Sequence, residues 1–342
     1  MRILVTGAGG FLGRSVVDKA LVRGHEVVAF VRSMHGGIPF PWEGVSGLDI
    51  VEGDLRNPAA LDGILSGIDV VVHLAAAKTG DLHLQMANTV VGTENLLRAM
   101  DRADVRSLVL LSSFTVYDYR AIPKGGIVDE SSPTEARPEQ RDAYTETKLL
   151  QEELAIAAAS AGRCGVTILR PGVVYGPNEY WSGRLGQRLS PAVWIRLGGR
   201  AYIPLTYVEN CADVVILAAE QINVGYRIYN VLDQTPPTQK QYVDRLREFV
   251  RPKPIVVTVP WSAALFAAQG IRLFNRLVLS DRLRVPGVLR VPSLHARGKP
   301  LRYTGARVRR ELGWQPAVPL DQGMLRTFHP EAGHVSPSGS QP

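Results

Sequence analysis

Two rhythms of apolar and polar positions alternate along the first 170 residues. Short, nearly unbroken apolar runs occur at 2–6, 26–31, 49–52, 70–73, 107–112 and 166–169, and between them lie amphipathic stretches near 11–23, 58–66, 81–102 and 141–161. Strands alternating with helices predict a parallel sheet with crossover helices, an α/β fold. Asp69-Val-Val-Val-His73 and Leu108-Val-Leu-Leu111 are apolar at consecutive positions, as strands covered on both faces must be, so they are read as central.

After Pro171 the pattern loosens into Gly, Pro and Trp. It predicts helices at 182–197, 209–222, 238–250, 261–279 and 304–312, and a strand at 226–231 that rejoins the main sheet. The resulting division is a nucleotide-binding unit over 1–175, rejoined by about 205–235, a substrate-binding region over 176–204 and 236–328, and a tail over 329–342 expected to be disordered. The uncharged stretch 254–271 is interrupted by Pro254, Pro260, Gln269 and Gly270, so it reads as a strand and a helix rather than a membrane span. That helix is apolar around its first three turns and gains Arg272 and Arg276 only later. Three roles stay open for it: packing within the substrate region, peripheral contact with a membrane, or a lid over a lipophilic substrate. As a lid it would offer Trp261 and Phe266, with Trp181 and Trp194, as apolar lining.

Composition narrows the class. With 45% hydrophobic and 21% charged residues over 342 positions, the chain is an ordinary globular protein. Two cysteines, Cys164 and Cys211, are too few for a disulfide framework, and the amino terminus runs straight into a strand without a signal-peptide core; a reducing, cytoplasmic location is expected. Neither thiol has partners at metal spacing, so no metal site is expected. The net charge of +7 is concentrated: residues 261–310 carry ten Arg and one Lys against Asp281 alone. Solvated arginines on a surface helix account for that segment as readily as an anionic substrate, a membrane surface or nucleic acid, and of these partners nucleic acid is not expected.

The first strand leads into Gly7-Ala-Gly9-Gly10-Phe11-Leu12-Gly13 and then directly into a helix. Glycines allow a tight turn and close backbone approach, and the helix N-terminus offers free N–H groups to a pyrophosphate, so a dinucleotide site is predicted despite the Gly-x-x-Gly-x-x-Gly spacing. The second strand ends at Phe30-Val31-Arg32-Ser33, where an NAD-binding unit has an acid; Arg32 suits a 2′-phosphate, and NADP is preferred over NAD. Tyr144 and Lys148, at i and i+4 near the start of a long helix, share a face. A phenol needs its pKa lowered by about 3 units to work near neutrality, and a neighbouring ammonium has the right sign. Ser112 and Ser113 stand at the carboxyl end of a central strand, the edge where open α/β sheets bind ligands.

Taken in order, TGAGGFLG, GDLRNP, HLAAA, the helix from Asn88 to Leu97, LLSSFTVY, YTETK and LRPGVVYGP resemble the extended short-chain dehydrogenase/reductases, the group that includes the NAD-dependent epimerase/dehydratase family. The match covers residues 1 to about 232, and more loosely Tyr303 to Pro316. The resemblance implies a Rossmann-type doubly wound sheet, a small-molecule substrate and a homodimer formed through the helices at 81–102 and 141–161. It implies that Asp54 and Leu55 bound the adenine, that Ala75, Ala76 and Ala77 line the cofactor, and that Pro171, Val173 and Val174 approach the nicotinamide. It further implies Ser113 as the substrate-orienting serine, Tyr144 as the acid/base, Lys148 as the ribose-binding lysine and Asn88 as a helix asparagine near the site.

Two departures bear on the reaction. The Asp-Glu pair of the family's dehydratases is replaced by Phe114-Thr115, and the Arg-Asp often found near a sugar-nucleotide diphosphate by Leu205-Thr206. The expected activity is hydride transfer between a hydroxyl and a carbonyl on a bulky, lipophilic molecule. The alternatives are a sugar-nucleotide 4-epimerase with tightly held NAD and a non-catalytic dinucleotide-sensing subunit.

Overall fold

A computed structural model describes residues 1–33, 42, 44–221, 223–278 and 287–329. The strands are β1 (Arg2–Thr6), β2 (Glu26–Val31), β3 (Leu48–Glu52), β4 (Val70–His73), β5 (Ser107–Leu111), β6 (Ile127–Val128), β7 (Gly165–Pro171), β8 (Val173–Tyr175), β9 (Gly186–Ser190), β10 (Val193–Leu197), β11 (Leu205–Tyr207), β12 (Tyr226–Val231), β13 (Ile255–Val259) and β14 (Arg302–Tyr303). The helices are α1 (Phe11–Val22), α2 (Leu82–Gln85), α3 (Gly92–Arg102), α4 (Ala143–Ser160), α5 (Val208–Ala219), α6 (Gln239–Phe249), α7 (Trp261–Val278), α8 (Val291–Gly298), α9 (Ala306–Leu312) and α10 (Leu320–Phe328).

Seven strands form one parallel sheet in the order β12-β7-β5-β4-β1-β2-β3, a doubly wound Rossmann-type architecture. Alternate residues of β1 explain its apolar run. Ile3 and Val5 enter the core layer shared with α1 and α5, whereas Leu4 enters the opposite layer with Leu96 of α3 and Ala155 of α4. The strand order reverses between β1 and β4, which opens a crevice at their carboxyl ends. Side-chain caps start the helices on its rim: Asp81 accepts from Leu84 N–H and Asp142 from Thr145 N–H.

The structure corrects three of the expected helices. Within 182–197, residues 186–197 form the hairpin β9–β10, because Val193 to Leu197 alternate with a period of two, with Trp194 and Arg196 turned inward, and Pro191-Ala192 make the turn. Residues 58–66 begin with one short 3-10 turn, Pro58–Leu61, and continue as turns through Gly63, which has φ +79°. The stretch 81–102 is interrupted by a π-helical turn, Met86–Val91. The tail expected to be disordered, beyond His329, lies outside the described residues, as does Asp281. No helix among the described residues is long and apolar enough to cross a membrane.

Candidate active site

A cavity of about 870 Å³ follows the carboxyl edge of the main sheet. Its floor is the turn after β1. Gly7 has φ +72°, and a Cβ there would stand 2.9 Å from Ala75 N, so the loops after β1 and β4 close on each other at the point where the strand order reverses. A Cβ on Gly13 would stand 2.1 Å from Gly7 O, which lets α1 press against the turn and aim its amino end along the cavity.

Of the residues expected to meet a cofactor, Gly7, Gly10, Phe11, Leu12, Gly13, Arg32, Asp54, Leu55, Ala75, Ala76, Ala77, Tyr144, Pro171 and Val174 line this cavity. Val173 does not: both it and Val174 are half-buried against the apolar core, and only Val174 also reaches the cavity. Lys148 is not among the lining residues either, being buried one layer behind Tyr144. Gly9, Arg14, Phe30 and Ser33 line it without having been expected. Arg32 donates to Asn88 Oδ1 at 3.2 Å, and Asp54 is gripped by Arg56, whose hydrogen bond holds the carboxyl below its usual range. Ser112 lines the cavity, and its buried Oγ has no hydrogen-bond partner among the described residues. A glycine floor pressed against a helix amino end, a basic side chain at the end of β2 and an orphan hydroxyl fit a dinucleotide.

Ser113 and Tyr144 stand together on the cavity wall, and Thr115 N–H donates to Ser113 Oγ at 3.2 Å. Burial pushes the Tyr144 phenol up to about 12, against the direction expected from a neighbouring ammonium, and the nearby Ser113 hydroxyl only partly offsets it. Burial likewise pushes Lys148 down to about 7; the charge of Glu152 opposes this and Lys78 adds to it. The Lys148 ammonium donates to Leu111 O at 2.7 Å and Gln151 Oε1 at 2.8 Å. Asn88 lies on the π-helical turn, and its side chain bonds Arg32 and Leu84 O rather than the Ser113–Tyr144 pair.

Behind Lys148 runs a buried polar chain that the sequence reading missed. Gln151 Nε2 donates to Thr93 Oγ1 at 2.8 Å, and the Thr93 hydroxyl proton goes to Thr89 O at 2.6 Å. His73 Nε2 stands 2.8 Å from Thr93 Oγ1 and 3.2 Å from Gln151 Nε2, and Nδ1 stands 2.6 Å from Thr6 Oγ1, so both ring nitrogens are hydrogen-bonded within this chain. Burial lowers the His73 pKa to about 3, so the ring is neutral near pH 7. Beside the chain, Glu152 forms a buried two-bond pair with Arg170 at 2.9 and 2.6 Å and ties α4 to β7. The available signals were Gln151 three residues after Lys148 and a histidine closing an otherwise apolar strand.

None of Trp181, Trp194, Trp261 and Phe266 lines the cavity. Trp194 is drawn into the core with Trp181 packed edge-on against it, Trp261 packs on His295, and Phe266 is exposed. Where dehydratases would carry their acid pair, Phe114 packs against Tyr303, and Thr115 shares hydrogen bonds with Thr145 and Arg141.

The sequence profile of the NAD dependent epimerase/dehydratase family matches residues 3–231. The chain belongs to that family. It is 31% identical over 334 residues, 95% of each chain, to the 4-hydroxy-2-methyl-3-oxo-4-farnesyl-3,4-dihydroquinoline-1-oxide ketoreductase of Stigmatella aurantiaca. It is 28% identical to the 2-alkyl-3-oxoalkanoate reductase of Stenotrophomonas maltophilia over 95% of this chain and 98% of the relative. Among solved structures, the UDP-glucuronic acid 4-epimerase of Bacillus cereus, determined with NAD, superposes with a TM-score of 0.72 over 96% of this chain and 97% of its own, at 21% identity, a likeness of fold. This family member is an NAD(P)-dependent oxidoreductase of the extended short-chain type.

Proposed function

We propose that this protein reduces a ketone on a bulky, lipophilic molecule to the alcohol, using NADPH. The observation that carries the reading is the placement of Ser113 and Tyr144 together on the wall of a cavity whose other end fits a dinucleotide. When bound at this cavity, NADPH would supply the hydride that the carbonyl carbon takes up. Ser113 orients the carbonyl oxygen, and Tyr144 gives its phenolic proton to that oxygen as the alcohol forms. A phenol pushed up to about 12 is held in the protonated form that this direction consumes. Lys148, buried behind Tyr144 with its ammonium held by Leu111 O and Gln151, is a positioning residue whose charge would stabilise the phenolate left by proton transfer, and Asn88 acts through Arg32, fixing it at the 2′-phosphate.

The lipophilic substrate class is supported by the two relatives, whose names specify farnesyl and alkyl ketones and whose likeness runs over nearly the whole chain. NADPH is supported by Arg32, which with Arg14 lines the cavity near the end of β2. α2 to α3 and α4 are proposed to meet a second copy, giving a dimer readable by light scattering. The test of the activity is a competition under one condition between alkyl or polycyclic ketones and UDP- or dTDP-sugars. Oxidation of NADPH with the ketones is expected; turnover of the sugars with none of the ketones would replace this reading with the 4-epimerase.

A further inference from the structure

Helix α7 turns its apolar face to water. Among its described residues only Ala268 and Asn275 are buried. Phe266, Leu273, Phe274 and Leu277 stand at i, i+7, i+8 and i+11, a spacing that puts them on one face, and they are 80%, 57%, 55% and 72% exposed. Arg276 is exposed on the flank of that face and Arg272 a step further round, toward the side of the buried Ala268 and Asn275; neither pairs with a carboxylate among the described residues, and α7 itself contains no acid. The strand leading into the helix continues the pattern, with Ile255 and Val257 of β13 exposed at 67% and 50%.

Two of the three roles open for this helix fail on these observations. Packing within the substrate region would bury the face, and a lid would bring α7 to the cavity, where none of its residues is found. A contiguous exposed apolar face marks an interaction site. Its occupant must accept aromatic and aliphatic side chains together with two guanidiniums, without any acid supplied by α7. A bilayer bearing anionic phospholipids does both, its acyl boundary taking the apolar face and its phosphates the arginines. We infer that α7 docks this protein in the plane of an anionic phospholipid surface, with Phe266, Leu273, Phe274 and Leu277 entering the boundary between headgroups and chains.

The test is flotation of the full chain with large unilamellar vesicles of phosphatidylcholine alone, or with about one third phosphatidylglycerol, at low and high salt. Flotation with the anionic vesicles at low salt, weakened at high salt, is expected. The double substitution Arg272→Glu with Arg276→Glu should lower the partition coefficient by roughly 30-fold or more, each arginine being worth about a fivefold step. Leu273→Ser with Leu277→Ser keeps the charge and should abolish flotation while leaving the circular dichroism spectrum unchanged. Absence of flotation with anionic vesicles overturns the inference, as does equal flotation of the wild type and both variants. A dimer that the leucine substitutions dissociate, without vesicle binding by the wild type, would assign the face to a second copy and also overturn it.

Discussion

Two alanine substitutions in one turn should separate the cavity's architecture from its ligand. A methyl group on Gly13 would stand 2.1 Å from Gly7 O and 2.6 Å from Ala8 O, both backbone atoms, where ordinary contact begins near 3.4 Å. Relief requires α1 to back away from the turn by about 1 Å, and overpacking of this kind costs about 3 kcal/mol or more when only backbone can yield. Gly13→Ala should therefore lower the melting temperature by roughly 5–10 °C. At Gly10 the same methyl meets only Gly7 O, at 3.2 Å, and the backbone there (φ −74°, ψ 171°) is open to alanine. Gly10→Ala should keep its stability within about 1 kcal/mol. Its methyl, however, occupies the cavity where a pyrophosphate meets the start of α1, and NADPH affinity should fall by at least about tenfold, or 1.4 kcal/mol. Thermal melts without ligand and calorimetric titration with NADPH read the two effects independently. Gly10→Ala binding NADPH like the wild type, or Gly13→Ala melting with it, would refute the reasoning at the corresponding glycine.

Tyr144→Phe should cost about 10²- to 10⁴-fold in kcat while NADPH affinity, measured by titration, stays nearly unchanged. Arg32→Asp should reverse the preference between NADPH and NADH in the same titration, by removing a phosphate partner and adding repulsion. Lys148 has a pKa of about 7 in the folded chain against 10.5 for an unperturbed lysine, so between those pH values the unfolded chain binds the extra proton and unfolding free energy rises with pH. Urea unfolding at pH 7 and pH 10 should show that rise in the wild type and a smaller one in Lys148→Met. Gln151→Leu removes the side-chain acceptor of the Lys148 ammonium, leaving Leu111 O, and should shift the Lys148-dependent limb of the pH–rate profile downward, an effect that a purely packing role for Gln151 would not produce.

The parallel sheet was legible because β1, β4 and β5 are covered on both faces and so read as unbroken apolar runs. The glycine turn, Ser113 and Tyr144 were legible for a related reason: they follow strand ends or open a helix, where local sequence signals are strongest. The hairpin β9–β10 was not, because its inward positions include Arg196, a charge that bonds Thr258 at 2.6 Å and hides the alternation. The pKa directions of Tyr144 and Lys148 were out of reach as well. Neighbouring charges are visible in a sequence, but the desolvation that dominates both residues depends on how deeply the finished fold buries them. The chain from Thr6 through His73, Thr93 and Gln151 joins residues up to 145 positions apart, a relation that no local pattern encodes.

The place of β12 in the sheet sets an order of events during synthesis. β7 pairs with β5 on one side as soon as residue 171 has left the ribosome, but its other edge waits for Tyr226 to Val231, 55 residues later. At about 5–20 residues per second that edge stays open for roughly 3–10 s. During this interval a nascent chain presents a row of unsatisfied N–H and C=O groups on an apolar strand, a template for pairing with a neighbouring nascent chain. A fragment ending near Pro171 retains the glycine turn and both hydroxyls of the site, yet it lacks the strand that seals it. Such a fragment should accumulate in the insoluble fraction, whereas one extended past Val231 should remain soluble, so the smallest unit that can be made in quantity is set by an edge strand far from the chemistry.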